Sequence, residues 1–375
     1  MSLHRALVAI SAYIATACVA SISPGVTQAA ASEPPPSRSE LRKHAERIVA
    51  GGAPGAQITT HDKRGVRHVV AGVGNLRTGK PPRAGRPFRI GSVTKTFTAT
   101  VVLSLVADGR IRLNAPVERY LPGLLPYKEP ITVRQLLEHR SGLFDYKEVI
   151  WPNPRKVTQA RFRNFEPIDL VRIATRRPLQ SAPGKTFGYS NTDYVVLGML
   201  VEEVTGHDYE HQLWRQVLRP ARLRDTYVPG HDPRLRRPSM RGYEDVTRTR
   251  LTDLSRFNMS AAWASGDLVS TADDVYRFYE ALLDGRLLPQ NLLRQMKQTK
   301  PAFPGFQYGL GLAHTKVCNQ QIWGHQGGMP GYQTLAFTNG SSERQITVLA
   351  NRSLTLDSSA KDAMLAAVKA ELCGD

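Results

Sequence analysis

The order of strand-like and helix-like segments along the chain limits the folds that it can adopt. Residues 56–60 and 66–73 alternate between apolar and polar side chains, as half-buried strands do. The middle of the chain, residues 114–287, is rich in apolar residues at helical spacing. Further strand-like segments follow at residues 308–314, 321–324, 332–337 and 345–349. This order predicts an α/β (α+β) fold in which both chain ends meet in one antiparallel sheet, with a mostly helical lobe against it and a site in the seam.

Periodic apolar residues also predict where individual helices lie. Residues 94–107 form an apolar helix that includes Phe97, Val101 and Leu105, so it is expected to be buried and to hold the residues just before it rigidly. The pair Asn339-Gly340 predicts a tight turn between the last two strands. The remaining predicted helices cover residues 40–49, 168–175, 194–204, 272–283 and 358–372.

The N-terminal segment, residues 1–31, has the features of a secretory signal peptide. Arg5 precedes an apolar run over residues 6–22, and small residues follow, so cleavage is expected near the end of the segment. The run is shorter than the ~20 apolar residues that a membrane-spanning helix needs. Lipid attachment at Cys18 is a weaker alternative, because Ala15 stands three residues before it in place of a larger aliphatic side chain. The mature chain is therefore expected to be secreted, without stable membrane insertion.

The rest of the chain divides into a short linker and a long folded part. Residues 32–39 are polar and rich in proline, which predicts a disordered linker. Residues 40–375 are too many for one minimal domain. They form either one large unit with an inserted helical lobe or two domains, and they contain no internal repeat.

The formal net charge of +18 comes from basic residues that are scattered along the chain. No helix-turn-helix, zinc-ligand spacing or aromatic platform accompanies them, so nucleic-acid binding is not expected. Histidine-rich metal spacing is absent from the sequence, and neither a metal nor another cofactor is expected. A positive field of this size attracts anionic polymers such as those of a cell wall, which are therefore candidate partners.

Ser92 and Lys95 form a candidate nucleophile and base. A serine hydroxyl needs a base within hydrogen-bond reach, and side chains three residues apart on a helix lie about 5–6 Å apart on one face. The amino end of the helix also offers backbone N–H groups that can hold an oxyanion. The spacing alone is weak, since Ser358 and Lys361 repeat it near the C-terminus. That second copy is interpreted as the exposed start of a helix.

Two further motifs follow Ser92, and each occurs once: Tyr189-Ser190-Asn191 and His325-Gln326-Gly327. The ordered set resembles the penicillin-recognising serine hydrolases, which include soluble D-alanyl-D-alanine carboxypeptidases, class C β-lactamases and esterases. The resemblance implies a β-lactamase/transpeptidase-like fold. It extends from about Pro87 to the C-terminus and includes Leu136-Leu-Glu-His-Arg-Ser-Gly142, Gly309-Leu-Gly-Leu312 and Trp323-Gly-His-Gln-Gly-Gly328.

The resemblance also implies catalytic roles. Ser92 would attack a carbonyl and form an acyl-enzyme, and a buried Lys95 would accept its proton. Tyr189, with its pKa lowered by Lys95, would pass a proton to the leaving group. His325 would polarise Tyr189 and steer an anionic substrate, but only when protonated.

The same resemblance implies which residues bind the substrate. Asn191 would hold the substrate amide, and the backbone N–H groups of Ser92 and Gly328 would form an oxyanion hole. Gly327 and Gly328 would let the strand approach the substrate closely. Trp263 is assigned to the substrate site, although a place in the core fits it equally well. The residues near the cleft that are expected to be structural are Glu138, His139 and Asp145.

Two cysteines, Cys318 and Cys373, remain after removal of the signal peptide. In an exported chain two cysteines most simply pair, and two free buried thiols are the alternative. The family resemblance supports the pair, because secreted relatives carry cysteines in these two places.

One departure from the family pattern bears on the substrate. Carboxypeptidase members tend to carry an arginine after Gly-Leu-Gly-Leu that binds the terminal carboxylate, whereas this chain has Ala313 and His314. The leading expectation is a D-alanyl-D-alanine carboxypeptidase-type enzyme able to bind penicillin. An esterase or β-lactamase-like amide hydrolase with the same site is the second hypothesis, and a non-catalytic cell-wall-binding protein is the third. Substrates would be small peptides, esters or β-lactams.

Overall fold

The computed structural model describes residues 35–247 and 250–373. The predicted signal peptide, the alternative lipid site at Cys18 and the first part of the linker lie outside these residues. Order begins earlier than the sequence predicts, because Ser37 caps the first helix and forms a capping box with Glu40. No helix among the described residues is both long enough and apolar enough to cross a membrane.

The strands lie mostly at the two ends of the chain. Their bounds are β1 (Gly55–Asp62), β2 (Gly65–Gly72), β3 (Phe88–Arg89), β4 (Tyr243–Asp245), β5 (Leu251–Asp253), β6 (Val269–Ser270), β7 (Lys300–Pro301), β8 (Gln307–Tyr308), β9 (Ala313–Val317), β10 (Gln320–Met329), β11 (Tyr332–Asn339) and β12 (Gln345–Ala350).

Both chain ends meet in one eight-stranded antiparallel sheet with the order β2-β1-β12-β11-β10-β9-β8-β7. The N-terminal hairpin joins the C-terminal strands where β1 pairs with β12, with Ala56 opposite Ala350. This arrangement confirms the predicted fold. The short pairs β3–β6 and β4–β5, which the sequence did not reveal, lie outside the main sheet.

The predicted strand over residues 308–314 is divided in two, since residues 309–312 leave the sheet to contact the central helix (residues 94–107). There Gly311 has φ +77°, and a Cβ on it would come 2.3 Å from the Cβ of Ala99. The Gly311 carbonyl also accepts a hydrogen bond from the Thr96 hydroxyl at 2.8 Å. Close backbone approach, which only glycine allows here, therefore overrides the alternating pattern.

The turn predicted at Asn339-Gly340 is longer than two residues. The loop runs over residues 340–344, and the Asn339 side chain accepts a hydrogen bond from the Arg344 backbone N–H at 3.1 Å.

The helices agree closely with the predicted segments. Their bounds are α1 (Arg38–Ala50), α2 (Thr94–Ala107), α3 (Val133–Leu137), α4 (Lys147–Ile150), α5 (Pro154–Ala160), α6 (Pro167–Thr175), α7 (Asn191–Thr205), α8 (Tyr209–Leu213), α9 (Ala272–Leu283), α10 (Gln290–Met296) and α11 (Ser358–Cys373).

Two apolar cores lie on opposite faces of the sheet. Helices α1 and α11 cover one face, where Leu41 and Met364 pack on Ile58 and Ile346. The helical lobe covers the other face around α2, which is buried from Thr94 to Leu105. A disulfide joins Cys318, after β9, to Cys373 at the end of α11, with their Cα atoms 5.2 Å apart. The fold thus places the start of α2 between the sheet and the lobe.

Candidate active site

Ser92 lies in a single 3₁₀ turn, Gly91–Val93, between β3 and α2. Strand β10 runs directly beside this turn. A Cβ on Gly327 would come 2.0 Å from the Ile90 carbonyl oxygen, so only glycine fits. Gly91 has φ +57°, and a Cβ on it would lie 3.0 Å from the Gly328 nitrogen. The glycines therefore let the turn that carries Ser92 and strand β10 touch through their backbones.

Lys95 lies one helical turn after Ser92 and is fully buried. Its Nζ lies 3.2 Å from Ser92 Oγ, 2.8 Å from Asn191 Oδ1 and 2.7 Å from the Ser265 carbonyl oxygen. Burial, and then the nearby charge of Lys147, lowers the pKa of Lys95 well below its usual range.

These three contacts orient the lone pair of a neutral Lys95 amine. The Asn191 amide oxygen and the Ser265 carbonyl can only accept, so they take the two N–H groups of the amine. In the neutral amine the remaining lone pair faces Ser92 Oγ, from which it can accept the hydroxyl proton. The arrangement is that of a general base next to a nucleophile.

Tyr189 is a neutral phenol beside this pair. Its ring centroid lies 4.8 Å from Lys95 Nζ, and its hydroxyl is hydrogen-bonded to that of Ser92. Burial raises the pKa of Tyr189 above its ordinary value. The expectation that Lys95 lowers this pKa is therefore wrong, because desolvation outweighs the neighbouring amine. Tyr189 can donate or relay a proton, but it does not begin as a phenolate.

Asn191 starts helix α7, and both ends of its side-chain amide are held by the protein. Its oxygen accepts from Lys95, and its nitrogen donates to Asp145 Oδ2 at 2.7 Å. In the structure Asn191 orients the base, and its assignment to the substrate amide stays a prediction. Asp145, which was expected to be merely structural, fixes that orientation. Its only signal in the sequence was its place shortly after the Leu136–Gly142 motif.

A buried histidine supports Tyr189 from behind. His139 Nδ1 lies 2.9 Å from Asp193 Oδ2, and the His139 and Tyr189 ring centroids are 4.2 Å apart. Glu138 instead forms an ion pair with Lys300 at 2.7 Å. Both residues thus have the structural roles expected of them.

His325 is a neutral hydrogen-bond acceptor in this site. Its Nδ1 faces the Gln326 carbonyl oxygen, which can only accept, so Nδ1 carries the proton. Its Nε2 therefore accepts from the Tyr308 hydroxyl at 2.9 Å. Burial lowers the pKa of His325 to about 3. The role expected of a protonated His325 is thus not supported, and Tyr308 is a partner that the sequence did not reveal.

Trp263 is partly buried and packs against the core, and it does not line the pocket beside Ser92. Its ring packs edge-on against Tyr209 with centroids 5.5 Å apart, and a Cβ on Gly198 would come 2.8 Å from it. The same turn, Trp263–Ser265, contributes the Ser265 carbonyl that binds Lys95. The segment therefore serves the site through its backbone, which corrects the assignment of Trp263 to substrate binding.

A mostly aromatic pocket opens beside Ser92. It encloses about 570 Å³, including its opening to solvent. With His325 neutral, none of the described residues that line it carries a charge. Its lining consists of Ser92, Tyr189, Phe303, Phe306, Gln307, Tyr308, Ala313, His325, Gln326 and Phe337.

Ala313 lines this pocket. It stands at the position where carboxypeptidases tend to carry an arginine. His314 lies on the other side of β9, where its ring packs on Trp323 with centroids 4.4 Å apart and its Nε2 contacts Gln321. Within residues 35–247 and 250–373, no cluster of side chains is suited to hold a metal ion.

The chain is similar to several known proteins in sequence and in structure. The model of the family described as Beta-lactamase matches residues 41–371. A D-stereospecific amidohydrolase from Streptomyces sp. has a similar structure, with a TM-score of 0.80, 35% identity, and coverage of 91% of this chain and all of that one. The D-amino acid amidase from Ochrobactrum anthropi SV3, solved with L-phenylalanine amide, gives a TM-score of 0.77 and 29% identity over 88% of this chain and 98% of that one.

Curated sequences give a broader range of activities. The esterase EstB of Burkholderia gladioli is 31% identical over 250 residues, which are 59% of this chain and 63% of that protein. The chain spans 56–65% of the length of this and other matched curated relatives.

Proposed function

Because the chain belongs to the beta-lactamase family, we propose that it is a serine amidohydrolase that forms an acyl-enzyme on Ser92. The observation that carries the proposal is the set of contacts around Lys95 Nζ. Two acceptors contact Nζ, and Ser92 Oγ lies 3.2 Å from it, so the lone pair of the neutral amine faces the Ser92 hydroxyl. A base prepared in this way activates a serine without a histidine.

The proposed reaction begins when Lys95 takes the Ser92 proton as Oγ attacks the substrate carbonyl. The backbone N–H groups of Ser92 and Gly328 stabilise the oxyanion. As the C–N bond breaks, the proton passes from Lys95 through the Tyr189 hydroxyl to the leaving amine. Water then attacks the acyl-enzyme, with the same groups acting in reverse. His325 stays neutral and holds Tyr308 in the pocket wall.

The pocket supports an apolar, aromatic side chain on the acyl part of the substrate. Aromatic rings from Phe303, Phe306 and Tyr308 line it, and Ala313 stands where a carboxylate-binding arginine would be needed. The two similar solved structures are an amidohydrolase and an amidase of D-compounds. We therefore place amides of aromatic D-amino acids first among substrates, before D-alanyl-D-alanine peptides, simple esters and penicillins.

A panel of substrates tests this order. Turnover is measured on D-phenylalanine amide, its L-isomer, a D-alanyl-D-alanine peptide, a nitrophenyl ester and a chromogenic cephalosporin. We expect the largest kcat/KM on D-phenylalanine amide. A clear preference for the D-alanyl-D-alanine peptide with a free carboxylate would instead establish a carboxypeptidase. No turnover and no serine labelling would favour a binding protein.

We also propose that the enzyme acts outside the cytoplasm. The signal-like N-terminal sequence and the Cys318–Cys373 disulfide support this location. Mass spectrometry of the protein from its native host is expected to show a mature N-terminus near residue 32 and no free thiol. An intact Met1 together with free thiols at Cys318 and Cys373 would contradict export.

A further inference from the structure

A second cavity, separate from the pocket beside Ser92, is surrounded by basic side chains. It lies between the segment after β2 (residues 74–86) and the segment before β4 (residues 237–241), and encloses about 680 Å³, including its opening. The basic residues that line it are Lys80, Arg83, Arg86, Arg237 and Arg241.

Most of this positive charge has no partner among the residues that the structure describes. Arg241 forms an ion pair with Asp253 at 2.6 Å. In the part of the chain that the structure describes, no side-chain hydrogen bond or ion pair is formed by Lys80, Arg83, Arg86 or Arg237. Like charges that share one cavity repel each other, and an anionic ligand would remove that cost. The cavity therefore differs from a surface where basic and acidic residues alternate.

Backbone hydrogen bonds join the two segments that form the walls. The Arg83 N–H donates to the Ser239 carbonyl at 2.9 Å, and the Arg241 N–H donates to the Gly74 carbonyl at 2.7 Å. The Ser239 hydroxyl is within 2.7 Å of Gln57 Oε1 on β1, which ties the cavity to the main sheet. The backbone that carries the cations is thus fixed, so only their side chains need to be ordered when a ligand binds.

Arg237 adds a local conformational signal. It has φ +47°, a region that residues other than glycine seldom occupy. Such conformations persist where the surrounding structure enforces them, and they often occur at ligand sites. Here the strained residue carries one of the unpaired cations.

We propose that this cavity binds a polyanion that carries phosphate groups, and that it does so independently of the active site. Arginine forks bind phosphate oxygens in pairs, and several unpaired cations favour a ligand with several charges over a single small ion. A protein with a net charge of +18 attracts any polyanion over long range, and the cavity supplies the place where one is held.

A matched pair of variants separates this site from the general positive field. The cavity variant carries Arg83→Gln, Arg86→Gln and Arg237→Gln. The control variant carries Arg112→Gln, Arg155→Gln and Arg176→Gln, which are exposed and do not line the cavity. Each variant loses three charges, so their net charges are identical.

Binding is measured by fluorescence anisotropy of a labelled short-chain polyphosphate at fixed salt. The cavity variant is expected to bind at least about tenfold more weakly than the wild type, as for the loss of one or more charge-assisted contacts. The control variant is expected to change binding less than about threefold, because distant charges are screened. Excess inorganic phosphate is expected to compete with the probe.

Three results would overturn the proposal. Equal weakening in both variants would mean that only the overall field matters. Selective loss of binding to vesicles of phosphatidylglycerol, with polyphosphate binding unchanged, would identify a membrane site instead. Loss of duplex-DNA binding in the cavity variant, with polyphosphate binding unchanged, would identify a nucleic-acid site. Fluorophosphonate labelling of Ser92 verifies that each variant is folded, and single substitution of Arg83 or Arg86 replaces the triple variant if it is not.

Discussion

The chain contains the Ser-x-x-Lys spacing twice, and the two copies differ in what their side chains contact. Both stand at the start of a helix, α2 for Ser92–Lys95 and α11 for Ser358–Lys361. Burial lowers the pKa of both lysines. Among the described residues, however, the side chain of Lys361 has no hydrogen-bond partner, whereas Lys95 is held by two acceptors and by its serine.

The comparison teaches that a shifted pKa and a suitable spacing do not by themselves make a catalytic base. What distinguishes Lys95 is that Asn191 and Ser265 leave its lone pair one direction in which to point. Those acceptors come from parts of the chain more than 90 residues away. The chemistry therefore depends on the tertiary fold and not on the local motif.

The largest expected difference between the two copies is at the serines. Ser92→Ala is expected to abolish covalent labelling by a fluorophosphonate and to lower kcat by about 10⁴-fold or more, the usual scale for loss of a nucleophile. Ser358→Ala, at an exposed position, is expected to leave both unchanged. Labelling that survives in the first variant and disappears in the second would reverse the assignment.

The lysines give the next difference. Lys95→Ala is expected to lower the acylation rate by about 10²–10⁴-fold, because a positioned base is lost. Lys361→Ala serves as the control and is expected to have no effect on that rate. Single-turnover labelling kinetics measure both. A Lys95→Ala enzyme that still acylates at the normal rate would eliminate Lys95 as the base.

A smaller effect is expected in the pocket, where two adjacent positions on β9 face opposite ways. Ala313→Arg places a cation in the pocket and is expected to raise kcat/KM for a D-alanyl-D-alanine free acid, relative to its amide, by about 10–100-fold. His314→Arg, on the other side of the strand, is expected to change that ratio little. Equal gains from both substitutions would mean that the effect is long-range attraction rather than direct binding.

The smallest expected effect concerns the pH profile of the base. The charge of Lys147 helps to lower the pKa of Lys95, so Lys147→Met is expected to raise that pKa. Since Lys95 must be neutral to act, activity rises as pH increases through its pKa, and the acid limb of kcat/KM moves to higher pH in the variant. Lys128→Met, at an exposed position, is the control. A limb that moves to lower pH would contradict the proposed sign.

Sequence patterns predicted the main elements well because periodic burial governs them. The bounds of α2 and α9 agree with the predicted segments 94–107 and 272–283, and both chain ends supply the sheet. The pattern failed at residues 309–312, where a backbone contact with α2 replaces the strand.

The motifs also indicated which residues would come together, but not what each one touches. The sequence could not reveal that Tyr308 donates to His325 or that Asp145 orients Asn191, since both contacts join separate elements. The sequence did not reveal the basic cavity for the same reason, because its walls come from segments about 150 residues apart.

The contact between Gly327 and Ile90 has a consequence for how such an enzyme can diversify. Because backbone meets backbone there, the nucleophile turn and β10 cannot separate without losing the reaction centre. The loop over residues 302–306, by contrast, brings Phe303 and Phe306 to the pocket and contributes nothing to the contacts of Lys95. Selection for new substrates can therefore act on this loop alone, which separates the inherited chemistry from the part of the molecule that is free to adapt.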